Sequence, residues 1–157
     1  VDGVLTDGTV SINSMGGESK PFFIRDGAAI VWARREGLEV GLLSGRPSEA
    51  TSRRAAELGL EIVSQGGPDK RRAYADILTR CGYRDEEVGY MGDDLLDLPI
   101  LGRVGLSATP ADAVDDVRTR VHWVSRACGG RGAVRELIEV ILTAQDKWGR
   151  VLNAFLP

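Results

Sequence analysis

The stretch Gly37-Leu38-Glu39-Val40-Gly41-Leu42-Leu43-Ser44-Gly45-Arg46-Pro47-Ser48 contains, in order, an apolar run, a polar loop and a helix start. The run 37–43 is short and mostly apolar, which predicts a buried strand. After the loop 44–47, Ser48 is a typical N-cap residue, and the predicted helix runs to Leu58 and ends at Gly59. Strand, loop and helix in this order are the unit of a parallel α/β sheet.

The same unit recurs along the chain. Val1, Val4 and Leu5 resemble the end of a strand whose earlier residues are absent, so we expect the chain to be truncated at its N-terminus. Further strands are predicted at 61–63, 88–91, 104–107 and 121–124. Helices are predicted at 69–80, opened by Asp69 and closed by Gly82, and at 95–101 and 133–147. The alternation predicts a single α/β domain over 1–157, with a doubly wound, mainly parallel sheet of the Rossmann type.

One segment departs from this pattern. Apolar and polar residues alternate around Val10 and Ile12, the glycine-bearing turn 15–18 follows, and Phe22 and Ile24 continue the alternation. The pattern predicts a β-hairpin over about 8–25, inserted as a small flap after the first strand. Nothing else in the sequence is long enough for a large cap domain.

Composition excludes several classes of protein. The chain has 157 residues, of which 43% are hydrophobic and 27% charged, which is ordinary for a globular domain. Its 20 Lys and Arg against 23 Asp and Glu give a net charge of -3, which argues against nucleic acid as a main partner. No apolar run reaches the ~18–20 residues of a membrane span. Two cysteines make neither a disulfide framework nor a zinc site, and we expect them reduced in the cytoplasm.

Polar residues follow four of the predicted strands or open the next helix: Asp2 with Asp7 nearby, Ser44-Gly45-Arg46, Lys70, and Asp93-Asp94. Ligands of doubly wound sheets bind at the carboxyl ends of the strands, so these groups are expected to meet. Carboxylates placed together need a cation, and oxygen ligands suit Mg²⁺. With hydrogen-bond donors and a lysine beside them, they indicate phosphoryl transfer.

Each feature also has a structural interpretation when taken alone. Asp2-Gly3 is compatible with a turn, 44–47 with a helix cap, Lys70 with a solvated side chain, and Asp93-Asp94 with a cap. All four in order favour the functional interpretation. His122, the only histidine, lies within a predicted strand and is interpreted as structural.

Segments 1–8, 43–46, Lys70 and 92–97 resemble the four motifs of the haloacid dehalogenase superfamily. Segments 23–27 and 129–136 resemble its small capless subgroup, which includes the 3-deoxy-D-manno-octulosonate 8-phosphate phosphatases. The likeness covers nearly the whole chain. It implies a Mg²⁺-dependent phosphatase acting on a sugar-acid phosphate through an aspartyl-phosphate intermediate, with a place in lipopolysaccharide biosynthesis.

The resemblance also assigns roles. The nucleophilic aspartate would directly precede Val1, and Asp2 would be the general acid and base. The Asp2 carbonyl oxygen and the Asp93 carboxylate would hold Mg²⁺, with Asp94 and Asp97 as supporting carboxylates. Ser44 would hydrogen-bond the phosphoryl oxygens, and Lys70 would neutralise their charge.

Substrate contacts are predicted more broadly. Arg46 and Arg54, two turns apart on one helix, suit a carboxylate or phosphate, although a solvated surface role is equally compatible with Arg54. The resemblance adds substrate contacts from the hairpin exit, residues 23–27, and from Arg131. It also implies a homotetramer whose hairpins meet at its centre. Arg131, or the tail near Trp148 and Phe155, would then reach a neighbour's site, unless 129–132 is only a flexible turn. The full set is Asp2, Phe23, Ile24, Arg25, Asp26, Gly27, Gly45, Arg46, Arg54, Lys70 and Arg131.

Three alternatives remain open at this stage. The same subgroup includes phosphatases of nine-carbon, sialic-acid-type 9-phosphates. A phospho-receiver signalling domain is also doubly wound, but its lysine comes last, whereas Lys70 precedes Asp93. A domain that no longer acts, and serves as the assembly partner of a nucleotide-sugar synthetase, is the third.

Overall fold

A computed structural model of the chain describes residues 1–67 and 69–157. Its strands are β1 (Ser11–Ile12), β2 (Glu18–Ser19), β3 (Gly41–Ser44), β4 (Ile62–Gln65), β5 (Gly89–Met91), β6 (Leu106–Thr109) and β7 (Trp123–Val124). Its helices are α1 (Ile24–Arg35), α2 (Glu49–Glu57), α3 (Lys70–Cys81), α4 (Leu98–Leu101), α5 (Asp115–Arg118), α6 (Ala133–Ala144) and α7 (Trp148–Asn153), with 3₁₀ turns at Asp85–Glu87 and Leu95–Asp97.

The central strands are parallel. β3 pairs with β4, with Gly41 opposite Ile62. β5 pairs with β6, and β6 with β7, also in parallel. Parallel strands connected by helices confirm the predicted α/β fold, although the structure begins and ends several strands one to four residues from the predicted positions.

A cavity of about 360 Å³ separates the two groups of parallel strands. Leu42 and Leu43 of β3 line one side of it, and Gly89 and Tyr90 of β5 line the other. Within 1–67 and 69–157, β3 and β5 therefore each have one sheet neighbour, and the parallel strands form two sheets.

The predicted strand at Val1, Val4 and Leu5 is wrong for the described residues. The N–H groups of Val4 and Leu5 both donate to the carbonyl oxygen of Val1, at 3.2 and 2.8 Å, which makes a turn. Gly3 has φ +72°, a left-handed conformation that glycine adopts without strain and that a strand does not contain.

Helix ends follow the predicted signals. The Ser48 hydroxyl accepts a hydrogen bond of 3.2 Å from the Thr51 N–H, so it caps α2 as expected. Asp69 caps α3 through the Arg71 N–H, and Gly82 with φ +76° ends that helix. The predicted helix 95–101 is divided, since the 3₁₀ turn precedes α4.

The predicted hairpin exists but is shorter than 8–25. β1 and β2 are antiparallel and two residues long each, and the Asn13 side chain accepts N–H bonds from the turn. Pro21 follows and lacks the N–H that a longer ladder needs, and Ile24 already belongs to α1. Phe22 packs on the main core, whereas Ile12 is 68% exposed.

Two clusters of buried side chains make up the core. In the larger one, α1 packs against α6 through Ile30, Ala33 and Leu142. The smaller one contains Tyr74 and Ile100 beside the 360 Å³ cavity. Among the described residues, no helix combines the length and apolar character that crossing a membrane requires.

Candidate functional site

An open cavity of about 860 Å³ lies at the carboxyl ends of β3 and β5. The residues that the sequence predicted for catalysis and metal binding all line it, together with two predicted substrate residues, Gly45 and Arg46: Asp2, Ser44, Lys70, Asp93 and Asp94. They come from four separate parts of the chain, and the parallel strands bring them together because their carboxyl ends share one edge. Val1 and Gly3 line the cavity as well.

Asp93 follows β5 and sits against the N-terminal turn. Gly3 has no side chain at the point where a Cβ atom would collide with the Asp93 carboxylate. Burial raises the pKa of Asp93 to about 6, and the negative charge of Asp97 adds to the effect. A cation bound at this carboxylate would offset both the cost of burying its charge and the repulsion from Asp97.

The donor set suits Mg²⁺. No group of three or more His, Cys, Asp or Glu side chains converges as a metal cage in residues 1–67 and 69–157. Mg²⁺ usually takes only one or two protein carboxylates and keeps several waters, whereas zinc prefers nitrogen and sulfur ligands. Asp93 and a backbone oxygen therefore suit Mg²⁺ better than zinc.

Asp97 is the most connected carboxylate of the site. Its Oδ1 accepts hydrogen bonds from Lys70 Nζ at 2.7 Å and from the Tyr90 hydroxyl at 2.6 Å. Its Oδ2 accepts the N–H groups of Asp93 and Asp94 at 3.2 and 3.4 Å. Burial acts to raise the pKa of Asp97, but the hydrogen bonds from Lys70 and Tyr90 bring it below its ordinary value.

Tyr90 was missed by the sequence analysis. It lies in β5 beside apolar neighbours, and its pattern is that of a core residue. Burial, followed by the charge of Asp97, strongly raises the pKa of the Tyr90 hydroxyl, so it stays a neutral donor. The only signal in the sequence was that Tyr90, unlike a purely apolar core residue, carries a hydroxyl group two residues before Gly92-Asp93.

Ser44 ends β3 and is buried. Its hydroxyl donates to the Arg46 carbonyl oxygen at 3.1 Å and accepts the Arg46 N–H at 3.3 Å. The loop 44–46 is thereby folded toward Lys70, whose Cε atom lies 3.7 Å from the point of a Cβ at Gly45. Small residues here let the lysine reach the cavity.

Two hairpin residues that the sequence analysis missed contact the site. Lys20 Nζ lies 2.7 Å from Asp2 Oδ1, and the Lys20 side chain is 0% exposed. Glu18 Oε2 lies 2.6 Å from an Arg46 guanidinium nitrogen, and Glu18 Oε1 accepts the Ser48 hydroxyl at 2.6 Å. The hydrogen bond from Ser48 lowers the pKa of Glu18. The signal in the sequence was a pair of charged residues at alternate positions, 18 and 20, in the second half of the hairpin.

Arg54 lies in a different cavity, of about 790 Å³, between the hairpin and α2. Its guanidinium pairs with Glu57 at 2.8 Å and stands 5.9 Å from the centre of the Phe22 ring. Gly27 lies beneath the guanidinium, where a Cβ atom would collide with it. The structure thus places Arg54 and Gly27 together, but not among the residues of the 860 Å³ cavity.

Of the remaining predicted substrate residues, three line a third groove, one is exposed on the surface and one is buried. Phe23, Arg25 and Arg131 line a groove of about 470 Å³ together with two further arginines, Arg126 and Arg135. Ile24 is exposed at the start of α1. Phe23, Ile24, Arg25 and Arg131 do not line the 860 Å³ cavity.

Asp26 holds two helices together. It is buried, and its Oδ1 accepts the Arg135 N–H at 2.8 Å, which docks the start of α1 on α6. Burial raises the pKa of the Asp26 carboxyl, and backbone hydrogen bonds counteract the rise. His122 Nδ1 accepts the backbone N–H of Ser107 at 3.1 Å, and the His122 backbone N–H donates to the Ser107 hydroxyl at 3.0 Å, which ties the start of β7 to β6 and agrees with a structural role.

Comparison with known proteins places these features in context. The chain is 42% identical over 147 residues to the 3-deoxy-D-manno-octulosonate 8-phosphate phosphatase KdsC of Yersinia pestis, an alignment covering 94% of this chain and 79% of that protein. No family model matches the chain.

Solved structures agree. A probable YrbI family phosphatase from Pseudomonas syringae superposes with a TM-score of 0.98 at 40% identity, covering 100% of this chain and 89% of that one. The 3-deoxy-D-manno-octulosonate 8-phosphate phosphatase from Moraxella catarrhalis, solved with magnesium, phosphate and KDO, has a TM-score of 0.97 at 33% identity, covering 99% and 90%.

Proposed function

Since the chain belongs to the 3-deoxy-D-manno-octulosonate 8-phosphate phosphatase family of the haloacid dehalogenase superfamily, we propose that it hydrolyses this sugar-acid phosphate with Mg²⁺. The observation that carries the proposal is the convergence of Asp2, Ser44, Lys70 and Asp93 on one cavity. This set offers an acid, phosphate donors and a metal ligand at a single place, as phosphoryl transfer requires.

The nucleophile is proposed to be an aspartate directly before Val1 in the full protein. Val1 lines the same cavity as Lys70 and Asp93. A residue joined to the Val1 nitrogen would stand beside Lys70 and Asp93. Its carboxylate oxygen would bond to phosphorus as the ester oxygen leaves.

Asp2 then has two tasks. It gives its proton to the departing sugar oxygen while the aspartyl phosphate forms. It regains a proton from the water whose oxygen attacks phosphorus and releases the nucleophile, so the cycle ends with inorganic phosphate and the free sugar acid. Ser44 and Lys70 donate hydrogen bonds to the phosphoryl oxygens in both steps.

Asp93 and the Asp2 carbonyl oxygen would hold Mg²⁺, with Asp94 as a supporting carboxylate. Bound there, the ion would neutralise charge on the phosphoryl group and the nucleophile. The raised pKa of Asp93, to about 6, supports this assignment, because it marks a buried carboxylate beside the negative charge of Asp97, where a divalent cation would be favoured.

A homotetramer is the proposed assembly. The hairpin carries Ile12 and Met15, which are 68% and 94% exposed, and apolar side chains grouped this way favour burial against another subunit. Phe23, Arg25 and Arg131 would then serve a neighbour's site. A cytoplasmic location is also proposed, supported by Cys81 and Cys128, which are both free thiols in the described chain.

The substrate is tested with purified full-length protein and Mg²⁺, supplied with 3-deoxy-D-manno-octulosonate 8-phosphate or a nine-carbon 9-phosphate. We expect a higher kcat/KM for the eight-carbon ester. A preference for the nine-carbon ester would change the substrate, and release from neither would reject the proposed activity. Replacing the residue before Val1 with Asn should abolish turnover, and a natural residue other than Asp there would refute the mechanism.

A further inference from the structure

The hairpin supplies a charged side chain to the interior of the site. The Lys20 ammonium is completely buried and lies 2.7 Å from Asp2 Oδ1. Glu18 Oε1 is the next carboxylate oxygen, at 3.7 Å. The contact is an ion pair, since within residues 1–67 and 69–157 neither Lys20 Nζ nor Asp2 Oδ1 has a partner in hydrogen-bond geometry. A buried ammonium is costly unless it is paired, so this contact is a specific one.

The contact distinguishes the two oxygens of the Asp2 carboxylate. Oδ1 is buried against Lys20, whereas 28% of the Asp2 side chain is exposed. The exposed surface of the side chain therefore belongs to its other atoms, of which Oδ2 is the only polar one, and Asp2 lines the 860 Å³ cavity. With Oδ1 held, rotation of the carboxylate is restricted and Oδ2 is the oxygen left to face the cavity.

We propose that Lys20 is a positioning residue: by holding Asp2 Oδ1, it fixes Oδ2 as the oxygen that transfers the proton to the leaving group. The inference rests on the proposed function. It gives the hairpin a role inside its own subunit, beyond any contact between subunits. Proton transfer needs the donor within hydrogen-bond reach, and a displacement of about 1 Å can cost about 10²-fold in rate.

Glu18 makes the hairpin rigid at this point. It accepts a hydrogen bond of 2.6 Å from Ser48 at the start of α2 and pairs with Arg46 at 2.6 Å, so β2, which Lys20 directly follows, is attached to the loop after β3. The backbone that leads to Lys20 is therefore held in place. The loop 44–46 and the hairpin belong to one network of charged side chains.

The test uses the dependence on the leaving group. In full-length enzyme, kcat/KM covers the steps up to departure of the alcohol. A sugar alkoxide needs a proton as it leaves, whereas p-nitrophenolate leaves without one. Lys20→Met should lower kcat/KM for the sugar phosphate about 10–10²-fold and for p-nitrophenyl phosphate less than about threefold. Lys147→Met is the matched control and should leave both unchanged.

A double-variant cycle shows whether Lys20 acts through Asp2. Asp2→Asn alone should lower the sugar-phosphate kcat/KM strongly, and adding Lys20→Met should lower it little further, since the two act as a unit. The ratio of the two substrates is measured on one preparation, so partial unfolding alters both rates and leaves the ratio unchanged. If Lys20→Met does not fold, Lys20→Gln replaces it, with the same direction of effect expected.

Two results would overturn the inference: an equal loss on both substrates, or losses that multiply in the double variant. Failure of the proposed function looks different, because the unmodified enzyme would then release phosphate from neither ester. An active enzyme whose substrate ratio is unaffected by the Lys20 variants would remove the inference and leave the proposed function intact.

Discussion

The Lys70 ammonium donates a hydrogen bond of 2.7 Å to Oδ1 of Asp97, a buried carboxylate whose other oxygen accepts the backbone N–H groups of Asp93 and Asp94. One side chain therefore fixes both the lysine proposed to contact phosphate and the loop that carries Asp93. Tyr90 completes the set from β5, with its hydroxyl 2.6 Å from the same Oδ1. The charges of the site are therefore organised around a buried carboxylate that also lines the 860 Å³ cavity.

Asp97→Asn should lower both activity and stability. The change leaves the Lys70 ammonium without its carboxylate, and breaking a buried pair costs about 3–5 kcal/mol. We expect the free energy of unfolding in urea to fall by about 3 kcal/mol and kcat to fall at least about 10²-fold. Asp76→Asn, an exposed position on α3, is the control and should change neither. Wild-type kinetics in Asp97→Asn would show that Lys70 needs no anchor.

Metal-free protein should become more stable when Asp93 loses its charge. The folded-state pKa of about 6 lies above the ordinary 3.8, so the ionised carboxylate penalises the folded state above pH 6 and not below pH 3.8. Asp93→Asn should therefore raise the Tm at pH 8 in chelator, with no such gain at pH 3.5. If the Tm of Asp93→Asn at pH 8 is equal to or below that of the unmodified protein, the raised pKa assigned to Asp93 is contradicted.

Magnesium binding should weaken in acid. Below pH about 6 a proton occupies Asp93 and competes with the cation, so the affinity should fall nearly tenfold per pH unit. Titration calorimetry at pH 5 and pH 7 measures this, and about a tenfold weaker Kd is expected at pH 5. Equal affinities at the two values would mean that Asp93 does not bind the ion.

Gly3→Ala should damage the metal site without removing any functional group. The added methyl group collides with the Asp93 carboxylate, and φ +72° at this position strains any other residue. We expect a large loss of Mg²⁺ affinity and of activity. Gly149→Ala, in open space on α7, is the matched substitution and should be neutral or slightly stabilising. Normal Mg²⁺ binding by Gly3→Ala would disprove the close approach.

Ile12→Asp should weaken assembly. A charge on the exposed hairpin strand opposes its burial between subunits, so sedimentation velocity should detect smaller species and activity should fall with them. Val140→Asp, on the exposed side of α6, tests whether any surface charge has this effect and should not. A fully active monomer of the unmodified protein at assay concentration would refute the tetramer.

Local signals in the sequence predicted the frame of this molecule well. The N-cap at Ser48, the helix end at Gly82 and the carboxylates after β5 depend on neighbours a few residues away, and the structure has them at the predicted places. The convergence of Ser44 and Asp93 followed from the parallel order of the strands alone.

Contacts between distant residues were beyond that reasoning. Lys20 contacts Asp2 only because the hairpin folds back over the N-terminal turn. Pro21 limits the length of the hairpin, so the alternation of apolar and polar residues does not indicate this pair. Tyr90 has the spacing of a core residue and differs only in its hydroxyl. The turn at Gly3 depends on how closely Asp93 approaches, and nothing in residues 1–6 alone distinguishes it from a strand.

The central claim, Mg²⁺-dependent phosphoryl transfer at the carboxyl ends of β3 and β5, is tested most directly by phosphate release from 3-deoxy-D-manno-octulosonate 8-phosphate. Full-length enzyme and its Asp93→Asn variant are compared with saturating Mg²⁺ and with excess chelator. The account predicts turnover by the unmodified enzyme only with Mg²⁺, and at least about 10²-fold less by Asp93→Asn. Full activity of either protein in chelator, or undiminished activity of Asp93→Asn with Mg²⁺, would contradict it.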